Sequence, residues 1–426
     1  MSDKKRIYTF SSLYGENAEA HKRSYYKATP EKIFETENAV ILPLIKKIGG
    51  QSFFQGGIVD CKGSFFEPAA HIHSFENEIG SLKNAYAFEE KNVISDDRTV
   101  IYGGILFDHF GHFLTESTTR LWYAVKYAEQ KYPIVFLKEK ERFPVSQILE
   151  FFELSGLLDR LVFISRPTRF AKIIVPVAAS VLACSYDDRF MSLYQAVAKS
   201  VEARSYDKIY LSRRKFKGGI KIIGEDRLEK TFKANGYKVV YPECLKLKEQ
   251  IAYVKGAKAI ASVMGTASHL ALFAGRGTKS IVFERTEHIN QEQILINQAN
   301  GLDWYSVNAN MNYLPVGYEF SPILLGITDN VVDFLKDSGY VFKQSDVNKI
   351  SDRAVRAFNR AWFVRYSSDK YNSLITGLGP VFAGRIKTYC QTAFLSLRQR
   401  LFMKRSNGAF RVYTVFGFSF KIKRKI

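Results

Sequence analysis

With 426 residues, 46% of them hydrophobic and 24% charged, the chain has the length of two domains plus an appendage and a globular balance, which excludes wholesale disorder, collagen-like repetition and a coiled coil. The polar start MSDKKRIYTF is no secretory signal, and the longest uncharged apolar run, Ile173 to Cys184, falls short of the roughly 18–20 residues that span a bilayer, so an intracellular protein is expected. Net charge is +20 but uneven: 18 basic and 3 acidic residues follow Tyr340, so a basic appendage sits on a nearly neutral body, which suits docking on an anionic surface.

The first hundred residues, with PLIKKIGGQSFFQGGIVD, read as irregular β structure. Cys61, Cys184, Cys244 and Cys390 are scattered without CxxC spacing, so neither a disulfide framework nor a zinc site is indicated. From about Thr99, short β-branched runs alternate with helical patterns: VIYGGIL, a helix from about Gly111, PIVFL, a helix near Val145, LVFIS and KIIVPV. Alternation of this kind predicts parallel strands with crossover helices. A helical stretch over about Arg189 to Ser205 leads into a second round: KIYLS, helix EDRLEKTFKANG, KVVY, helix LKEQIAYVKG, KAIASV, helix TASHLALFAG and KSIVF. Gly236 and Gly256 stand where a glycine closes a helix C-terminus. The spacing of Ile386, Tyr389, Phe394, Leu397 and Leu401 predicts a basic amphipathic helix over 385–405, followed by the aromatic and basic end FRVYTVFGFSFKIKRKI.

Three places could carry chemistry. In ILFDHFGHFLTE, a helix beginning near Gly111 puts His112 and Glu116 on one face with Thr119 and Tyr123, opposite Leu114, Leu121 and Val125, while Asp108 and His109 occupy the turn before it. Such a face is either a solvated helical pair or a cleft-lining cluster that supplies a general base; His109, His112 and Glu116 could also ligate a metal, but the HExxH spacing that would specify one is missing. In VMGTASHLALFAG, a strand ends in Gly265 and a helix starts through Thr266, Ala267, Ser268 and His269, a strand-to-helix turn suited to an anion such as a diphosphate. Ser212-Arg213-Arg214-Lys215 follows KIYLS at the same expected sheet edge, where cations neutralise phosphate.

GHFLTESTTRLWY, IYLSRRKF, the segment from GEDRLEKTF to MGTASHLALFA, and KSIVF together resemble glycosyltransferase family 61, which includes bacterial capsular polysaccharide biosynthesis proteins. The resemblance covers roughly residues 100–300. It falls on His112 and Glu116, on Ser212 and Arg213, on Pro242, Glu243 and Gln250, and on Gly265 to His269; Lys221, Gly224-Glu225 and Met264 depart from the family's pattern. What it implies is an α/β, GT-B-like enzyme: two Rossmann-like domains facing across a cleft, here 1–200 on the acceptor side and 201–335 on the nucleotide-sugar side, with a basic C-terminal helical extension over 336–426. The implied reaction is inverting transfer from a nucleotide-sugar such as a UDP-sugar to a glycan or glycolipid hydroxyl, with no metal and no other cofactor. Glu116 or His112 would be the base, with Asp108 and His109 as alternatives. Arg213, Arg214, Lys215, Glu243, Gly265, Thr266, Ala267, Ser268 and His269 would hold the donor. A cytoplasmic enzyme peripheral on the inner face of the membrane is expected, docked through 385–426 and without a nucleic-acid partner.

Two rival readings use the same residues. A noncatalytic scaffold or nucleic-acid binder would use the basic tail, although such proteins carry basic residues along a groove path and not in one appendage. A metal-dependent hydrolase would use the histidine and acid cluster.

Overall fold

The computed structural model describes residues 5–9, 25–49, 51–73, 80–140, 145–216, 218, 220–314, 316, 321–366, 402–407, 410–415 and 418–423. The chain divides into two compact units, Met1–Phe358 and Asn359–Ile426. Together they form a mixed α/β protein, with parallel and mixed sheets.

Within the first unit, strands β1 (Ile7–Tyr8), β2 (Ile33–Gly49), β3 (Gln51–Val59), β4 (Leu82–Asn84), β5 (Ile94–Leu106), β6 (Ile134–Lys138), β7 (Leu161–Phe163) and β8 (Thr168–Pro176) are followed by β9 (Lys208–Leu211), β10 (Lys238–Val240), β11 (Ala259–Val263), β12 (Lys279–Glu284) and β13 (Asp303–Asn308). A seven-stranded sheet has the order β4-β3-β2-β8-β5-β6-β7. Its strands from β5 onward are mutually parallel, as the alternation from Thr99 predicts, whereas β2 runs antiparallel to both β3 and β8. The second sheet, β1-β13-β12-β11-β9-β10, is parallel throughout, which fits strands buried on both faces and built from KIYL, AIASV and KSIVFE.

The expected helices are present as α1 (Phe110–His112), α2 (Trp122–Lys126), α3 (Ser146–Leu154), α4 (Asp188–Lys199), α5 (Glu225–Ala234), α6 (Leu247–Gly256) and α7 (Thr266–His269), and two that the pattern did not predict follow as α8 (Gln291–Ala299) and α9 (Asp329–Asp337). One core cluster joins the sheets: Ile101, Phe136 and Ile174 from the first and Ile209, Leu211 and Ile260 from the second enclose Phe151, Phe152, Tyr194 and Ile251 of the helices between them. Leu228 and Phe232 of α5, with Val331 and Phe334 of α9, cover the other face of the parallel sheet. Glu150 of α3 accepts the Leu247 and Lys248 N–H groups at 2.8 and 2.9 Å, placing a carboxylate on the exposed amides that open α6.

Two expectations need correcting. Gly236 does close its helix, at φ +82°, but Gly256 lies inside the last turn of α6, where the Arg204 carbonyl leaves no room for a Cβ. In the second unit, most of the helix expected over 385–405 lies outside the described residues, and its last residues belong to a strand. There β14 (Phe402–Asn407), β15 (Phe410–Val415) and β16 (Phe418–Lys423) form an antiparallel sheet. FSFKIK alternates at period two and FRVYTV is rich in β-branched and aromatic residues, and pairing with the FRVYTV strand draws Phe402–Arg405 into the sheet. No helix among the described residues is long and apolar enough to cross a membrane.

Candidate active site

Strand β5 ends in the middle of the first sheet, and the chain turns through Phe107–His109 into α1, which widens into a π turn over Phe113–Ser117. Widened turns of this kind recur at functional sites because they re-aim a side chain without ending the helix. Thr115 and Thr118 donate their hydroxyls to the Gly111 and Leu114 carbonyls, at 3.2 and 2.9 Å. Glu116 projects from this turn into the interior, with its side chain 1% exposed.

Three imidazoles surround that carboxylate. His112 Nδ1 lies 2.5 Å from Oε1, the expected i, i+4 pair, while His73 Nδ1 and His71 Nε2 lie 2.7 and 3.0 Å from Oε2. Burial pushes the Glu116 carboxyl up, but hydrogen bonds from His112, His71 and His73 outweigh it and hold the group well below the usual carboxylate range. The helix face read as polar is thus largely an interior one: Thr119 and Tyr123 are buried as well. The His112 side chain is 42% exposed, so its ring joins the buried carboxylate to the surface. His109 stacks edge-on to His112 at 5.2 Å, whereas Asp108 faces Lys140, its Oδ2 lying 3.4 Å from Nζ.

On the second sheet, β9, β11 and β12 are adjacent parallel strands, and the residues just past their carboxyl ends converge. Gly265 follows β11 at φ +137°, and a Cβ there would collide with the Arg213 guanidinium; Arg285 Nη1 would lie 3.8 Å from it. Arg213 and Arg285 therefore flank one glycine, and burial, then Arg285, lowers the Arg213 pKa. Glu243 Oε1 is buried without a hydrogen-bond partner, and Glu243 is close enough to act on the Arg213 charge. Arg214 turns aside to Glu229 at 3.0 Å, and the Lys215 ammonium lies over the Tyr241 ring at 4.3 Å. Ser268 and His269 are both tied to Gln293 Oε1, at 2.6 and 2.9 Å. Burial lowers the His269 pKa to about 4, so this imidazole is neutral near pH 7.

The two clusters meet. A Cβ on Gly111 would come within 3.0 Å of Thr266 Oγ1, so the start of α1 rests closely on the first residue of α7. Burial, then His112, Arg213 and Lys140, lowers the His109 pKa. Acid, imidazole and arginine thus share one region, the former two from the end of β5 and the last from the ends of β9 and β12.

Residues 110–281 match the family model for Glycosyltransferase 61. The matched span holds His112, Glu116, Arg213 and Gly265, the residues that this contact unites, and it supports a glycosyltransferase. No curated protein matches the chain.

His71, His73 and Arg285, which lie outside the span matched by family 61, and Gln293, also beyond it, escaped sequence reasoning. Signals for two of these sites existed. In His71-Ile72-His73, residues two apart in an extended segment share a face, and Arg285 directly follows KSIVFE, as Arg213 directly follows KIYLS. Gln293 had no comparable signal, since its role depends on α8 packing beside α7.

Proposed function

We propose that the protein is an inverting glycosyltransferase that moves a sugar from a nucleotide-sugar donor to a hydroxyl of a growing cell-surface glycan. The observation that carries this reading is the contact of the His112–Glu116 helix with the Gly265–Thr266 turn beside Arg213 and Arg285. The family-61 match supports the same chemistry. We read the elements of 1–200 as the acceptor side and those of 201–335 as the donor side, in the manner of a GT-B enzyme. The acceptor in this reading belongs to a bacterial capsular or related polysaccharide, built at the inner membrane face, where residues 385–426 dock on anionic lipid.

The chemistry is a single displacement. With Nδ1–H donated to Glu116 Oε1, His112 presents Nε2 as a base. It takes the proton of the acceptor hydroxyl as that oxygen attacks the anomeric carbon from the side opposite the leaving group. The carbon–oxygen bond to the diphosphate breaks, and its electron pair leaves with the nucleotide. Glu116 stabilises the imidazolium that forms, as a buried carboxylate behind a histidine does. Arg213 and Arg285 neutralise the charge developing on the departing diphosphate, a task that needs no metal there. Glu116 is too deeply buried to meet the acceptor itself, so its part is to orient His112.

The test is a panel of nucleotide-sugars scored for thermal stabilisation and for transfer or hydrolysis. His112→Ala is expected to lower kcat by at least about a hundredfold while nucleotide affinity is kept. Arg213→Ala and Arg285→Ala are expected to weaken nucleotide diphosphate binding. Absence of both stabilisation and turnover across UDP-, GDP-, CMP- and dTDP-sugars would overturn the reading.

A further inference from the structure

The two oxygens of Glu116 are used differently. Oε1 meets His112, its neighbour on the same helix, whereas Oε2 meets both His71 and His73, which lie 45 and 43 residues away in the chain. The His71 Nε2, His73 Nδ1 and Glu116 ligand atoms all lie within 4.8 Å of one another. Two neutral imidazoles and one carboxylate are a ligand set for a borderline divalent cation such as Zn²⁺, which takes nitrogen and oxygen ligands from three protein groups and keeps one position for water.

The backbone holds this set in place independently of any ion. His71 exchanges both of its main-chain hydrogen bonds with Leu82 at 2.9 Å, and the His73 N–H donates to Ser81 Oγ at 3.1 Å. Arg120 donates to the Pro68 and Ala70 carbonyls just ahead of His71, at 3.0 and 2.9 Å. A pocket bordered by His71, Glu116, Thr119 and Ser180 opens beside the ligand atoms. Ser180 is 4% exposed, and its hydroxyl, buried in that lining, has no hydrogen-bond partner. A buried hydroxyl left unmatched at the edge of a polar cavity calls for a water or a ligand atom there.

We propose that His71 Nε2, His73 Nδ1 and Glu116 Oε2 form a divalent-cation site of the Zn²⁺ class, whose remaining position faces the Ser180 pocket. The cation replaces the two imidazole protons directed at Oε2 and leaves the Oε1–His112 pair intact, so His112 hydrogen-bonds to a metal ligand, as outer partners of zinc sites do. Its role is to fix the carboxylate that orients His112. It takes no part in neutralising the diphosphate, and its existence does not depend on the transferase reading.

The experiment uses the full chain without a histidine tag. After chelator treatment, Zn²⁺ is titrated against a chromophoric competitor, bound metal is counted by plasma mass spectrometry, and the melting temperature is followed. About one Zn²⁺ per chain and a higher melting temperature are expected. His73→Ala and His71→Ala should abolish binding at equimolar Zn²⁺, and His112→Ala, which removes only an outer partner, should weaken it less, on the order of 10-fold. Co²⁺ loaded into the wild-type chain, which avoids any folding defect of the variants, should give the visible absorption of a four-coordinate site. No binding at equimolar Zn²⁺, equal binding in the His71 and His73 variants, or a six-coordinate Co²⁺ spectrum would overturn the proposal.

Discussion

Glu284 and His269 carry opposite ionisation problems within the parallel sheet and its first helical turn. The Glu284 carboxyl accepts the Ser306 hydroxyl at 2.9 Å on Oε1, its Oε2 is buried without a partner, and burial pushes its pKa up to about 7 from 4.5. Because the folded value lies above the unfolded one, its contribution to stability is fully present below about pH 4.5 and is lost as pH rises through about 7. For His269 the folded value, about 4, lies below the ordinary 6.5, so stability is fully present above 6.5 and is lost as pH falls toward 4. Glu284→Gln removes the first of these and leaves the second. The variant should melt above the wild type at pH 8 and with it at pH 4.5, in scanning calorimetry. A constant difference at both values would show that Glu284 does not titrate in this range.

At the scale of elements, Arg120 fastens three segments together. It follows the π turn and donates to the Pro68 and Ala70 carbonyls and to that of Pro176 at the end of β8, with its guanidinium 5.7 Å from the centre of the Tyr102 ring. Lysine cannot reproduce this fork, and methionine satisfies none of the three carbonyls. Arg120→Met should therefore cost on the order of 3 kcal/mol in urea unfolding, and should loosen the His71–His73 segment, read as faster amide exchange at Leu82 than elsewhere in the sheet. The same region shows why the sequence was legible in one half and not the other. In β9 to β12, each strand, helix and closing turn lies in one short stretch, so local periodicity reveals the element and the edge at which Arg213 and Gly265 stand. The first sheet depends on pairings such as Ile33 with Pro176, which no local pattern discloses, and β2 carries Pro43 near a bulge between Leu42 and Ile45. His71 and His73 belong to that nonlocal half. Their meeting with Glu116 is a product of tertiary structure, although the His112–Glu116 pair was readable from helical spacing alone.

For the whole molecule, charge is distributed unevenly along the chain. Residues after Tyr340 hold 18 basic and 3 acidic side chains, while the first 340 residues are close to balance. Unit Met1–Phe358 contains the seven- and six-stranded sheets and every residue of the candidate site. Anionic headgroups attract each nearby Lys or Arg by about 1 kcal/mol at physiological ionic strength, and the attraction decays within a Debye length of about 8 Å. A segment of this composition should therefore bind phosphatidylserine vesicles strongly in low salt, weakly at 0.5 M, and phosphatidylcholine vesicles hardly at all. A chain ending at Tyr366, which keeps the helix Asp352–Tyr366 with its buried Phe358 and Trp362 whole, is expected to lose sedimentation with anionic vesicles while keeping its melting temperature. Aromatic side chains at an interface would leave a salt-resistant remainder, because apolar burial is not screened. If the shortened chain still sediments as the full chain does, the anionic surface is recognised by the catalytic unit, and the charge gathered at the C-terminal end serves some other partner.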